Sequence, residues 1–169
     1  MIDVSACIGP YPFRHLPHPD PGVLVTVLER EGLSGAWVGH LPSAFYRDPT
    51  PGNDVLFAAL APHPGLRPVP CIRPDWPGWE RALAAAADGG APAVRAYPPQ
   101  WGLGPDDPAM RALCTACGDA GLALLLTSRF EDLRQRVRRV IRIDRDVPPH
   151  AIGVRRRDRA HRVVAERGV

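Results

Sequence analysis

Ile2-Asp3-Val4-Ser5-Ala6-Cys7-Ile8-Gly9 sets a plan that the rest of the chain repeats. Apolar Ile2, Val4, Ala6 and Ile8 alternate with the short polar side chains of Asp3, Ser5 and Cys7, the period-two pattern of a strand with one greasy and one polar face. In a barrel of parallel strands the polar set points inward. The strand ends at Gly9-Pro10, and a proline-rich loop leads to Asp20-Pro21, an N-cap and first-turn pair. A helix over residues 22–31 then carries Val23, Leu24, Val27 and Leu28 on its buried stripe and stops near Gly32.

The same unit recurs. Residues 35–40 read as a strand, followed by a long loop and a helix over 53–60 capped by Asn53. Residues 66–72 form a third strand, 79–88 an alanine-rich helix closed by Gly89-Gly90, and 93–97 a fourth strand. Residues 108–119 form a helix closed by Gly121, and 122–127 a fifth strand. This alternation implies parallel strands joined by crossovers, hence an α/β fold: a partial, TIM-barrel-like (β/α) array of five to six parallel strands with outer helices. The long loops rich in proline and aromatic residues follow strands, which places function at the strand C-terminal ends. Strand one lacks a glycine-rich phosphate loop after it, which argues against an open-sheet nucleotide fold.

Beyond Arg129 the pattern weakens. Residues 130–140 have helical character, Val147-Pro148-Pro149 breaks the chain, 150–162 read as a further helix, and 163–165 begin a sixth strand. The expected organisation is a βα-repeat barrel domain over 1–136 and an Arg-rich segment over 137–169. Eight strands normally need about 250 residues. Five or six leave an open sheet edge, for which a homo- or hetero-oligomer completing the barrel is the expected cover.

Composition narrows the classes further. The 169 residues are 45% hydrophobic, enough for one soluble domain, and no run approaches the roughly 18 apolar residues of a membrane span. Met1-Ile2-Asp3 lacks the basic start of a signal peptide, so a cytoplasmic protein without membrane contact is expected. Cys7, Cys71, Cys114 and Cys117 then read as reduced thiols. All 21 basic residues are arginine, and with 21 prolines this is the coding bias of a GC-rich genome, a statement about ancestry. Residues 1–128 carry 8 arginines against 12 acids, and 129–169 carry 13 against 6, so net charge runs from −4 to +7. The tail arginines, among them Arg134, Arg138 and Arg155-Arg156-Arg157, lack interleaved aromatics or a nucleic-acid motif and read as a solvated face, so no nucleic-acid partner is expected.

Several stretches together resemble the amidohydrolase-related TIM-barrel proteins of the metal-dependent hydrolase superfamily. They are Ile2-Asp3-Val4 with Ile8-Gly9-Pro10-Tyr11-Pro12-Phe13-Arg14, the Asn53 helix, Pro68-Val69-Pro70 leading to Arg73-Pro74-Asp75, Ala93-Val94-Arg95-Ala96-Tyr97-Pro98, and Phe130-Glu131-Asp132-Leu133-Arg134. The resemblance covers residues 2–136 and more loosely 146–166. It implies a hydrolase or non-oxidative, decarboxylase-type lyase acting on a small acidic or aromatic molecule with a divalent metal such as zinc. It also implies His-x-His where this chain has Ser5 and Cys7, a histidine where it has Thr127-Ser128-Arg129, and an aspartate from a later strand. Two inward imidazoles about 7 Å apart along a strand converge on one ion; a serine and one thiol do not.

The expected metal site is therefore impaired. No cofactor is assigned, Cys7 and His40 remain weak metal candidates on the same rim, and no catalytic residue is named. For substrate binding, Arg73 and Arg95 at strand ends offer forks for a carboxylate or phosphate, with Tyr97, Trp76 and Trp101 as an aromatic wall. His40 and Ser128 join that set, with Arg14 as a further candidate. His15, His18 and His63 read as loop residues, Cys114 and Cys117 as core thiols within a helix, and Ser5 has no histidine-acid pair to activate it. Two readings follow: an amidohydrolase-like enzyme with an altered site, or a catalytically inactive barrel remnant that binds a ligand or partner subunit.

Overall fold

A computed structural model describes residues 1–13, 15–16, 20–104 and 106–127. The described residues run β1 (Asp3–Ile8), α1 (Pro21–Arg30), β2 (Ala36–His40), α2 (Thr50–Leu60), β3 (Leu66–Pro68), α3 (Trp79–Asp88), β4 (Ala93–Ala96), α4 (Pro108–Asp119) and β5 (Ala123–Leu126). Short 3-10 turns follow β2 at Leu41–Phe45 and β4 at Pro98–Trp101. Readings that fall on 128–169, including the sixth strand, the Arg-rich segment and Ser128, lie outside the described residues, as do Arg14 and His18.

Every strand pair is parallel: β1 with β2, β2 with β3, and β4 with β5. The third strand is shorter than the expected 66–72, and the reason is chemical. Pro68 and Pro70 have no N–H to give a ladder, so pairing with β2 ends early. Beyond that break Val69 N still donates to Val38 O at 2.8 Å, while Arg95 N donates to Pro70 O at 2.8 Å and Ile72 N to Arg95 O at 2.9 Å. A Cys71–Arg95 parallel bridge thus joins the three-stranded and two-stranded ladders into one order, β1-β2-β3-β4-β5. These five strands do not close a barrel.

Helix starts follow local chemistry. Asp20 Oδ1 accepts from Gly22 N at 2.7 Å and Val23 N at 3.3 Å, capping α1 as its sequence predicts. Asn53, by contrast, is not a cap. Helix α2 begins earlier, at Thr50, whose N–H donates to Asp48 Oδ1 at 2.9 Å, so Asn53 lies inside the helix and is buried. On α1 only Leu28 is fully buried and Val23 is exposed, a narrower stripe than expected.

Strand parity fixes what each side chain faces. Ala6, Ile8, Ala36, Val38 and Leu66 pack with Leu28, Leu56 and Leu60 in one helix-facing core. Val94, Ala96 and Leu124 pack with Ile72, Leu83, Met110, Leu113 and Cys117 in a second. Fully buried leucines such as Leu56 and Leu113 contribute on the order of 2 kcal/mol each. Because residues alternate, Cys7, Gly39, Arg95, Tyr97 and Leu125 take the opposite, inner face. Cys114 and Cys117 pack on the second core, none of the four cysteines is in a disulfide, and burial pushes the Cys117 thiol up to about 12. Among the described residues no helix is long and apolar enough to cross a membrane.

Candidate functional site

The inner face of β4 carries Arg95, only 4% exposed, and its side chain crosses to β1. One Nη donates to Cys7 Sγ at 3.7 Å and the other to Val4 O at 3.5 Å. Two residues along the same face, Tyr97 is buried, with the Arg95 side chain close enough to act on its hydroxyl. Burial holds the Tyr97 phenol well above its ordinary range; Cys7 and Cys71 push the same way and Arg95 pulls against them. Tyr97 is therefore a neutral hydroxyl at physiological pH. Cys71 packs with Tyr97 and Ala44, and burial raises its thiol far above the usual range despite Arg95 and Arg73 nearby.

A second layer continues outward. Trp101 meets Tyr97 edge-on at 6.0 Å, and its buried indole N–H has no acceptor among the described residues. Arg73 lies 5.6 Å over the Trp101 ring. Its fork is already filled by Asp75, Nε to Oδ1 at 2.9 Å and Nη2 to Oδ2 at 3.0 Å, while Nη1 reaches Arg47 O at 3.5 Å. That pairing lowers the Asp75 carboxyl and raises Arg73. Of the aromatic wall, Tyr97 and Trp101 are together, and Trp76 instead lies under Arg47 at 5.0 Å.

His40 goes elsewhere. It pairs in register with Ile8, a helix-facing residue, and shares the face of Ala36 and Val38. Its Nδ1 hydrogen-bonds Ser43 Oγ at 2.9 Å, its ring meets Tyr46 edge-on, and burial lowers its pKa. Cys7 and His40 therefore point to opposite sides of the sheet, and the two weak metal candidates do not form a pair. Among the described residues no group of three or more His, Cys, Asp and Glu side chains is arranged to hold a metal ion. Ser5 is exposed, with its backbone N–H on Asp3 Oδ1 at 2.8 Å.

The metal that the resemblance implies fits poorly with these residues. Two of the positions it assigns to ligands are Ser5 and Cys7, and the Arg95 guanidinium lies against that stretch, on Val4 O and Cys7 Sγ. A divalent ion about 4 Å from a guanidinium meets repulsion on the order of 8 kcal/mol at an effective dielectric of about 20. A serine and one thiol offer little against it.

Two features escaped the sequence reading. Its place at a strand end selects Arg95, but nothing in the sequence gives its reach to β1. The other is Asn53, whose amide binds the backbone of Cys71 instead of capping α2.

No family model matches the sequence, and no curated protein matches it. Solved structures do match in fold, a parallel βα array of the TIM-barrel kind. One is a probable 2-pyrone-4,6-dicarboxylic acid hydrolase from Acinetobacter baumannii with citric acid bound, similar at TM-score 0.53 and 13% identity over 75% of this chain and 49% of that one. Another is a 5-carboxyvanillate decarboxylase from Sphingomonas paucimobilis, at TM-score 0.52 and 19% identity over 62% of this chain and 35% of that one. The matched region thus spans less than half the length of either enzyme.

Proposed function

We propose that the chain is an amidohydrolase-like, small-molecule hydrolase or decarboxylase-type lyase with an altered metal site, taking a small acidic or aromatic molecule at the strand tips. The observation that carries this is the Arg95 side chain on the inner face, hydrogen-bonded to Cys7 and near buried Tyr97. A guanidinium supplies paired N–H donors for a carboxylate, the neutral Tyr97 hydroxyl adds a donor, and the Trp101 edge borders an apolar ring. The two structural neighbours support it at the level of chemistry, since one is a probable 2-pyrone-4,6-dicarboxylic acid hydrolase and the other a 5-carboxyvanillate decarboxylase. Arg95 would bind and orient; a base for water activation is not assigned.

A second reading, ligand binding without turnover, draws on the His40 geometry. The histidine nearest the strand tips faces the helices and is committed to Ser43, which removes it as a proton carrier for the inner face. Incubating the purified chain with pyrone and benzene dicarboxylates separates the two. Product formation by liquid chromatography supports the enzyme, saturable binding without product supports the binder, and neither result would reject the site.

A further inference from the structure

We infer that Arg47, stacked on Trp76 at the outer rim of the strand tips, is the cation that meets the carboxylate of an incoming small molecule. The inference rests on the proposed reading of this end as a small-molecule site and adds which residue recognises the acid from the solvent side. Three described arginines stand at this end, and two of them are already engaged. Arg95 is buried, with its terminal nitrogens on Val4 O and Cys7 Sγ. Arg73 closes a two-point pair with Asp75. Arg47 is exposed, and among the described residues no carboxylate pairs with it.

The loops after three successive strands build this rim. Arg47 lies between the 3-10 turn after β2 and helix α2, Arg73-Pro74-Asp75-Trp76 follows β3, and Trp101 follows β4. Guanidinium–indole contacts tie the loops together: Arg47 lies 5.0 Å over the Trp76 ring and Arg73 5.6 Å over Trp101, while Arg73 Nη1 reaches Arg47 O at 3.5 Å. The backbone holds both sides of the outer stack, with Trp76 N donating to Arg73 O at 3.1 Å and Tyr46 N to Ser43 O at 3.2 Å. Asp48, the acid next to Arg47 in the chain, accepts from Thr50 N at 2.9 Å. A guanidinium lying on an indole face keeps its N–H edge for a planar acceptor, and the indole offers apolar surface to a ring attached to that acceptor. Because Arg47 is exposed, it meets the acid on an open rim, where an ion pair is modest and screened by salt.

The test uses the full chain and benzene-1,3-dicarboxylate in two arms. In the first, calorimetry compares wild type with Arg47→Met at low and high salt. Affinity about three- to five-fold lower in the variant at low salt, with the gap narrowing as salt is added, is expected. Equal affinity overturns the inference, and so does a loss of the same size at both salt concentrations, which marks a packing role for the stack on Trp76. In the second arm wild type is treated with phenylglyoxal, and peptide mapping follows the adduct at Arg47. Saturating dicarboxylate should slow its formation; an unchanged rate overturns the inference whether or not Arg47→Met folds. Where wild type binds and Arg47 proves indifferent, the small-molecule reading stands without this residue, whereas no binding by wild type rejects both.

Discussion

Asn53 holds Cys71 by both of its backbone groups: Cys71 N donates to Asn53 Oδ1 at 2.8 Å, and Asn53 Nδ2 donates to Cys71 O at 2.9 Å. The side-chain amide acts as a one-residue strand, supplied from α2 at the point where β3 changes partners. Both residues are buried, so removing the amide strands two polar groups away from water. Asn53→Ala is expected to lower the unfolding free energy by about 2–4 kcal/mol. Urea denaturation checks this, and a loss under about 0.5 kcal/mol would show that the clamp is not structural.

Gly52, one residue earlier, makes room for His40. A Cβ there would collide with Ser43 Oγ and stand 2.8 Å from His40 Nδ1. Alanine gains about 1 kcal/mol of helix propensity over glycine, but overpacking against fully buried Ser43 costs about 1–3 kcal/mol. Gly52→Ala is therefore expected to lose up to about 2 kcal/mol. Gly104→Ala, with nothing within 4 Å, should change stability by less than about 0.5 kcal/mol. Thermal melts of the pair decide it.

Burial depresses the His40 pKa below its ordinary value of 6.5. The unfolded chain then binds this proton more readily than the native one, so stability rises with pH in that window. The His40 contribution is fully present above pH 6.5 and declines as pH falls through that value toward the lower native one. Asp75, lowered by Arg73, loses its share only below its ordinary value of 3.8. His40→Asn should flatten the stability profile between pH 7 and 5 and leave the acid limb unchanged. An unaltered slope in that window would contradict the assignment.

Asp75 keeps Arg73 from other anions. Asp75→Asn removes the competing charge and leaves the Arg73 fork open beside Trp101. Affinity for benzene dicarboxylates should rise several-fold, with a steeper fall as salt is added, because the pair is partly exposed. Calorimetry at low and high ionic strength reads both, and unchanged affinity would separate Arg73 from the mouth.

Much of the fold was legible because period-two and helical patterns are local. Trp79–Asp88 and Pro108–Asp119 match the sequence reading residue for residue, each bounded by glycine or a capping aspartate. The β3 end was not, although its cause is plain in Pro68 and Pro70: the apolar pattern continues through them while the hydrogen-bond donors do not. For the site, position at a strand end singled out Arg95 and, beside it, Tyr97, and strand parity puts both on the inner face. The same parity, applied to His40 from Ala36 and Val38, would have set it on the helix side. Partners were out of reach: Arg73 to Asp75 is local and visible in Arg73-Pro74-Asp75, but Arg95 to Cys7 joins residues 88 apart and depends on sheet curvature.

The two prolines of β3 have a mechanical meaning as well. They divide the molecule along a seam, with the β1–β3 core on one side and the β4–β5 core on the other, and few amide hydrogens stitch across it. Amide exchange should resolve two protection blocks, with Ile72 and Arg95, whose N–H groups cross the seam, exchanging before Val38 or Leu124. Opening along that line would separate Arg95 from Cys7, so the weakest join in the protein also governs whether its binding groups meet.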